Sequence, residues 1–105
     1  MNQQLKLVRD YVKMPFPGGN VLGSPREYYV DEFGKKQGLY IEKDIHNVLT
    51  KIGMCKDNEF NGLVTEIYGE GHYATFSYVK GIRQGPFLEV KGNRVKQGVY
   101  ENNKL

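Results

Sequence analysis

Apolar and polar residues alternate along most of this chain in short runs, and each run is cut by a polar turn containing glycine. Three of the runs follow a glycine in the same way: LYIEKD after Gly38, LVTEIY after Gly62 and PFLEVK after Gly85. The first and second glycines are 24 residues apart and the second and third 23. A two-residue alternation repeated at that period predicts β-hairpin units laid side by side, an all-β fold built from repeats.

Taken in order, residues 2–13 satisfy both a short helix, through Leu5, Leu7 or Val8 and Val12, and a strand, through Leu5, Leu7, Arg9 and Tyr11. Pro15, Pro17, Gly18, Gly19 and the run Gly23-Ser24-Pro25 then read as a loop, because proline removes a ladder donor and glycine admits positive φ. Residues 1–25 are therefore expected to be a cap and loop that covers the first sheet edge, and residues 26–105 the repeat sheet. Glu27 to Val30 and Leu39 to Lys43 flank the first turn, which holds Gly34 and Gly38. Gly53 to Cys55 falls one period before Phe76 to Tyr78, so a strand is expected there. The second turn spans Asp57 to Gly62 and the third Gly81 to Gly85. Arg94 to Glu101 repeats the opening half of a unit.

The stretch EYYVDEFGKKQGLYIE, Glu27 to Glu42, shows the pattern most fully: tyrosine, a polar strand, glycine with lysine, then glycine followed by apolar residues. This is similar to MORN (membrane occupation and recognition nexus) repeats, in the bacterial variant found in antitoxin-like proteins. The resemblance covers about residues 26–105. The second unit departs from it: Cys55 stands where the family usually has an aromatic, and Asn58 replaces the turn glycine. What the resemblance implies is a single antiparallel meander of about seven to eight strands, curved into a trough with binding on one face. It implies a protein that binds and does not catalyse.

Strand alternation sorts the returning runs into two faces. Leu39 and Ile41, then Leu63, Thr65 and Ile67, then Pro86, Leu88 and Val90 make the more apolar face, expected to be the buried one. The other holds Tyr40 and Glu42, then Val64, Glu66 and Tyr68, then Phe87 and Glu89. Glu42, Glu66 and Glu89 each stand four residues after their glycine and form a row. As a docking trough, aromatic area and carboxylates there would select a basic protein partner. As ordinary cross-strand pairing, each glutamate would meet a neighbouring cation such as Lys80 or Lys96.

Composition narrows the function classes. The net charge of +3 comes from scattered residues, which favours solubility over dedicated nucleic-acid binding. The densest cationic group, Lys80, Arg83, Lys91, Arg94 and Lys96, with Tyr78 among them, is the candidate for anionic lipid or nucleic-acid phosphates. Both are secondary to a protein partner or a homodimer through the last strand, Val95 to Glu101. One cysteine, Cys55, excludes an internal disulfide framework and points to a reducing compartment. Arg9, Asp10 and Lys13 interrupt the apolar run a secretion signal needs, and no stretch has 18 consecutive apolar residues, so the cytoplasm is the expected location.

No catalytic, cofactor or metal set emerges. His46 and His72 are 26 residues apart without zinc-ligand spacing. GEGH and KGIRQG lack the strand-to-helix setting of a phosphate loop. Cys55 reads as a small core residue, and Asp31 with Glu32 as solvated turn residues. The expected function is that of a non-catalytic module that occupies and neutralises a partner protein, in the manner of an antitoxin, immunity protein or inhibitor.

Overall fold

The computed structural model describes residues 4–16 and 19–105, with the backbone alone for 13–16 and 19–22. The described residues form eight strands: β1 (Lys6–Phe16), β2 (Gly19–Val30), β3 (Lys36–Lys43), β4 (Leu49–Lys56), β5 (Glu59–Gly69), β6 (His72–Val79), β7 (Ile82–Lys91) and β8 (Arg94–Tyr100). They lie in one antiparallel sheet in chain order, so every connection is a hairpin. Among the described residues there is no helix, and hence none long and apolar enough to cross a membrane. The radius of gyration of 15.3 Å exceeds the roughly 13 Å of a compact globule of this length, as a single layer should.

The N-terminal ambiguity resolves to strand. Residues 6–16 pair with β2, and the Gly23-Ser24-Pro25 run expected as loop lies inside β2, with Pro25 opposite Tyr11. The proline falls where the ladders give way: β3 pairs with β2 only from Arg26 onward, and the β1–β2 register shifts between Tyr11 and Lys13. The expected boundary at residue 25 thus falls within a strand, and β1 is itself the sheet edge. Pro17 and Gly18, which belonged to the same expected loop, lie outside the described residues.

The repeat's glycines do a different job from the one their spacing suggests. The second and third turns are two residues long, Asp57-Asn58 and Lys80-Gly81, with positive φ at both positions, the twist that a tight hairpin demands. Asn58, which replaces a glycine, adopts φ 72° because asparagine tolerates the left-handed region. Gly38, Gly62 and Gly85 lie inside strands at φ 83°, 103° and 105°, beside register shifts that mark bulges.

The residue before each bulge glycine ties its hairpin to the next one. Gln37 Oε1 accepts the Asp57 N–H (3.2 Å), Asn61 Oδ1 the Lys80 N–H (3.3 Å), and Gln84 Oε1 the Asn102 N–H (2.8 Å). Backbone bonds run beside them, from Asn58 to Lys36, Gly81 to Phe60 and Asn103 to Arg83. The first turn is closed by Asp31, whose carboxylate accepts the N–H groups of Phe33 and Lys35 and an amide proton of Gln37.

The core lies on one face. Tyr40, Cys55, Val64, Ala74, Phe76 and Phe87 are buried there, with Val64 at 0% exposure. This inner face is the one expected to be open. The face expected to be buried is the outer one, where Leu39, Leu63 and Leu88 are exposed. The reversal has a packing cause: large aromatic rings on neighbouring strands cover one another laterally, whereas the shorter aliphatic side chains opposite have no second layer above them.

Candidate functional site

The inner face is built from cross-strand rows. One row runs Tyr28, Tyr40, Gly53, Val64, Phe76, Phe87 and Gly98, each residue paired with the next across adjacent strands. Glycine falls where its neighbour's bulk requires it. A Cβ on Gly53 would lie 2.8 Å from Val64 Cγ2, and one on Gly98 would lie 2.8 Å from Phe87 Cε1. Tyr40 packs edge-on against Phe60 with ring centres 5.2 Å apart, and Phe76, Phe87 and Tyr100 pack mutually. Tyr40, Val64 and Phe87, expected to contact a partner, are therefore interior packing residues with almost no free surface.

The glutamates fall in one row, with Lys51 between Glu42 and Glu66 and Ala74 between Glu66 and Glu89. The register reads Asp10, Arg26, Glu42, Lys51, Glu66, Ala74, Glu89 and Lys96. Glu42 accepts the hydroxyl of Tyr40, and burial together with that carboxylate holds the phenol well above its ordinary pKa. Glu66 accepts the Tyr68 hydroxyl at 2.7 Å and lies 3.7 Å from Lys51 Nζ and 3.9 Å from Arg83 Nη2. Burial and the Glu66 bond push the Tyr68 phenol up to about 12. His72 Nε2 sits 3.1 Å from Glu89 Oε2, and its ring packs at a tilt against Tyr68, the one exposed aromatic of the predicted row. Asp10 binds Arg26 and the Tyr28 hydroxyl, and the Arg26 bond holds its carboxyl below the usual value. Each carboxylate of the row thus already has a partner within the sheet.

The five predicted phosphate-binding cations do not form one patch. The Arg83 guanidinium lies 3.7 Å above the Phe76 ring and donates to the hydroxyls of Tyr78 (3.0 Å) and Tyr100 (3.3 Å), which fixes it to the inner face. Lys80 is in the β6–β7 turn, a full strand length from the β7–β8 turn. Lys91, Arg94 and Lys96 do converge, around a surface hollow of about 570 Å³ that His72 and Glu89 also line.

The outer face was missed as a surface. Its central row, Ile41, Ile52, Thr65, Thr75, Leu88 and Gln97, is flanked by the pairs Leu63 with Ser77 and Tyr73 with Val90. From β3 to β8 these paired positions carry no charge. The Thr65 and Thr75 hydroxyls bond each other at 3.0 Å, so even the polar atoms at the centre are satisfied within the sheet. Leu63, Val95 and Val99 are each more than 60% exposed. Charge returns toward the rim: Arg9 pairs with Glu27 beside a hollow of about 320 Å³ that Lys43 also lines, and Lys56 stands across from Glu59 at the β4–β5 turn. The signal was present in the alternation, which separated these residues correctly but did not say which face the sheet would cover.

Cys55 and the histidines are not neighbours. Cys55 lies near the β4–β5 turn and His72 at the opposite strand end, about six residue rises or roughly 20 Å away. Burial pushes the Cys55 thiol up, away from the thiolate that nucleophilic chemistry needs. Among the described residues, no group of three or more His, Cys, Asp or Glu side chains is placed to hold a metal ion. No family model matches the chain, and no curated protein matches it.

Proposed function

We propose that this protein is a non-catalytic binding module that occupies a partner protein, as an antitoxin, immunity protein or other inhibitor does. The carrying observation is the outer face: its central rows carry no charge from β3 to β8 and expose Leu63, Leu88, Val95 and Val99, on a sheet whose opposite face is already packed. Contiguous apolar surface of this kind marks association sites, and charge depletion is the composition signature of an interface centre. The MORN-like repeat pattern agrees with this reading, since repeat sheets present extended surfaces to their partners. On this reading the docking surface is the outer face, and the row of Glu42, Glu66 and Glu89 serves the sheet's own pairing.

Capture from a lysate of the native host, followed by mass spectrometry, tests this when run with three baits. Wild type and the inner-rim variant Tyr68→Ala should retain the same partner. The folded double variant Leu63→Glu/Leu88→Glu should lose it. Retention by the double variant would remove the outer face from the mechanism. A narrower second reading rests on Lys91, Arg94 and Lys96, which converge on one hollow. Anion binding there would weaken steeply with ionic strength, whereas association through the apolar face would not.

A further inference from the structure

We infer that, in the absence of a partner protein, the outer face is covered by a second copy of this chain, packed face to face about a twofold axis. This rests on the reading of that face as the docking surface. The area is sufficient. Six strands from β3 to β8, spaced about 4.8 Å apart and about seven residues long, span roughly 29 by 23 Å, or about 650 Å² per copy. Two copies would bury about 1,300 Å², within the range of roughly 1,200–2,000 Å² for specific complexes.

Two further features favour a like copy over an unlike partner. The uncharged central rows can meet themselves without bringing like charges together, and a twofold interface requires that kind of self-complementarity. The charges also lie in the right place. With the axis through the Thr65–Thr75 pair, β3 to β8 of one copy overlay β8 to β3 of the other, and β1 with β2 overhang beyond the overlap. Arg9 and Glu27, the only charged pair in the central row, then stay in water. The result is a two-layer sandwich with sheets about 10 Å apart, the usual solution for a sheet with one apolar face.

Sedimentation equilibrium on the whole chain tests the inference. Wild type should sediment at twice the 12.1 kDa chain mass, with micromolar or tighter dissociation. Leu63 stands next to the proposed axis and Leu88 lies farther out, and both are exposed enough to accept a charge without unfolding the monomer. Leu63→Glu sets two carboxylates close together across the axis and should weaken the dimer by about 100-fold or more. Leu88→Glu should weaken it less, with unchanged circular dichroism in both. A monomeric wild type overturns the second copy, while the capture experiment above judges the docking face separately. A dimer that both glutamates leave intact overturns the assignment of this face.

Discussion

Gly53→Ala is the sharpest test of the inner row. A methyl group at Gly53 would stand 2.8 Å from Val64 Cγ2 and 3.3 Å from both Val64 Cβ and Cγ1, against roughly 3.5–4.0 Å for a comfortable carbon contact. Val64 has no exposed surface and is held between Gly53 and Phe76, so it has nowhere to retreat. Overpacking of this kind costs about 1–3 kcal/mol. Replacing glycine by alanine within a strand would by itself return about 0.5–1 kcal/mol, because the unfolded chain loses freedom. The net expectation is a loss of about 1–2 kcal/mol in urea unfolding. Val64→Ala alone removes two buried methyl groups and leaves a cavity, a loss of roughly 2 kcal/mol. In the double variant the new methyl occupies part of that cavity, so the two losses should fall short of their sum by about 1 kcal/mol or more. Additive losses, or a neutral Gly53→Ala, would refute the row as the packing centre. Gly98→Ala should cost less, because the atom it meets is the far edge of the Phe87 ring, which can turn, and β8 is an edge strand.

Two further expectations separate structural from binding roles. Arg83→Met should lower stability by about 2 kcal/mol, through the lost stacking on Phe76 and the bonds to Tyr78 and Tyr100, and Arg83→Lys should recover less than half because an ammonium cannot stack. Unchanged urea midpoints for both would free Arg83 for the phosphate role. The Asp10–Arg26 pair makes the β1–β2 hairpin sensitive to acid: Asp10 has a depressed folded pKa, so its contribution is full above the unfolded value of 3.8 and is lost as pH falls through the lower folded value. Amide exchange in that hairpin should rise over this window in wild type and be flat in Asp10→Asn, and an identical rise in the variant would exclude the pair as its cause.

From residue 26 onward, strand content, hairpin order and the sharing of faces were legible in the sequence, because each follows from local alternation and from turns that need particular residues; β1 and the first half of β2, where prolines and glycines read as loop, were not. The coverage of the faces was not. Alternation tells which residues point the same way, and counting Leu, Ile and Val favours the face that holds Leu39, Leu63 and Leu88. A single layer, however, covers whichever side carries groups wide enough to reach across 4.8 Å to the next strand, about the spacing of a sheet. Tyr40, Phe76 and Phe87 do this, with Gly53 and Gly98 leaving room. The bulges escaped for a related reason. Gln37-Gly38, Asn61-Gly62 and Gln84-Gly85 form an amide-glycine repeat at the period of the array, but glycine in a polar run reads first as a turn. The amide before it, whose target lies one hairpin away, was the missed signal.

The charged row ties the inner face to strand register. Its signs alternate from Asp10 to Glu66, then Ala74 breaks the sequence and leaves Glu66 and Glu89 on either side of a neutral residue. Each glutamate is met by a group from a different row: Arg83 approaches Glu66 from above Phe76, and His72 approaches Glu89 from the far strand end. A two-residue slip of β6 against β5 would keep the apolar residues on their face but would strand these pairings, so the charges penalise the one error that hydrophobic patterning permits. Groups engaged in that way are costly to withdraw for a ligand, because each would leave a half-buried partner unmatched. Under the proposed binding role, contact with another protein falls to the surface that makes no such demands, the face on the other side of the same strands whose central rows carry no charge.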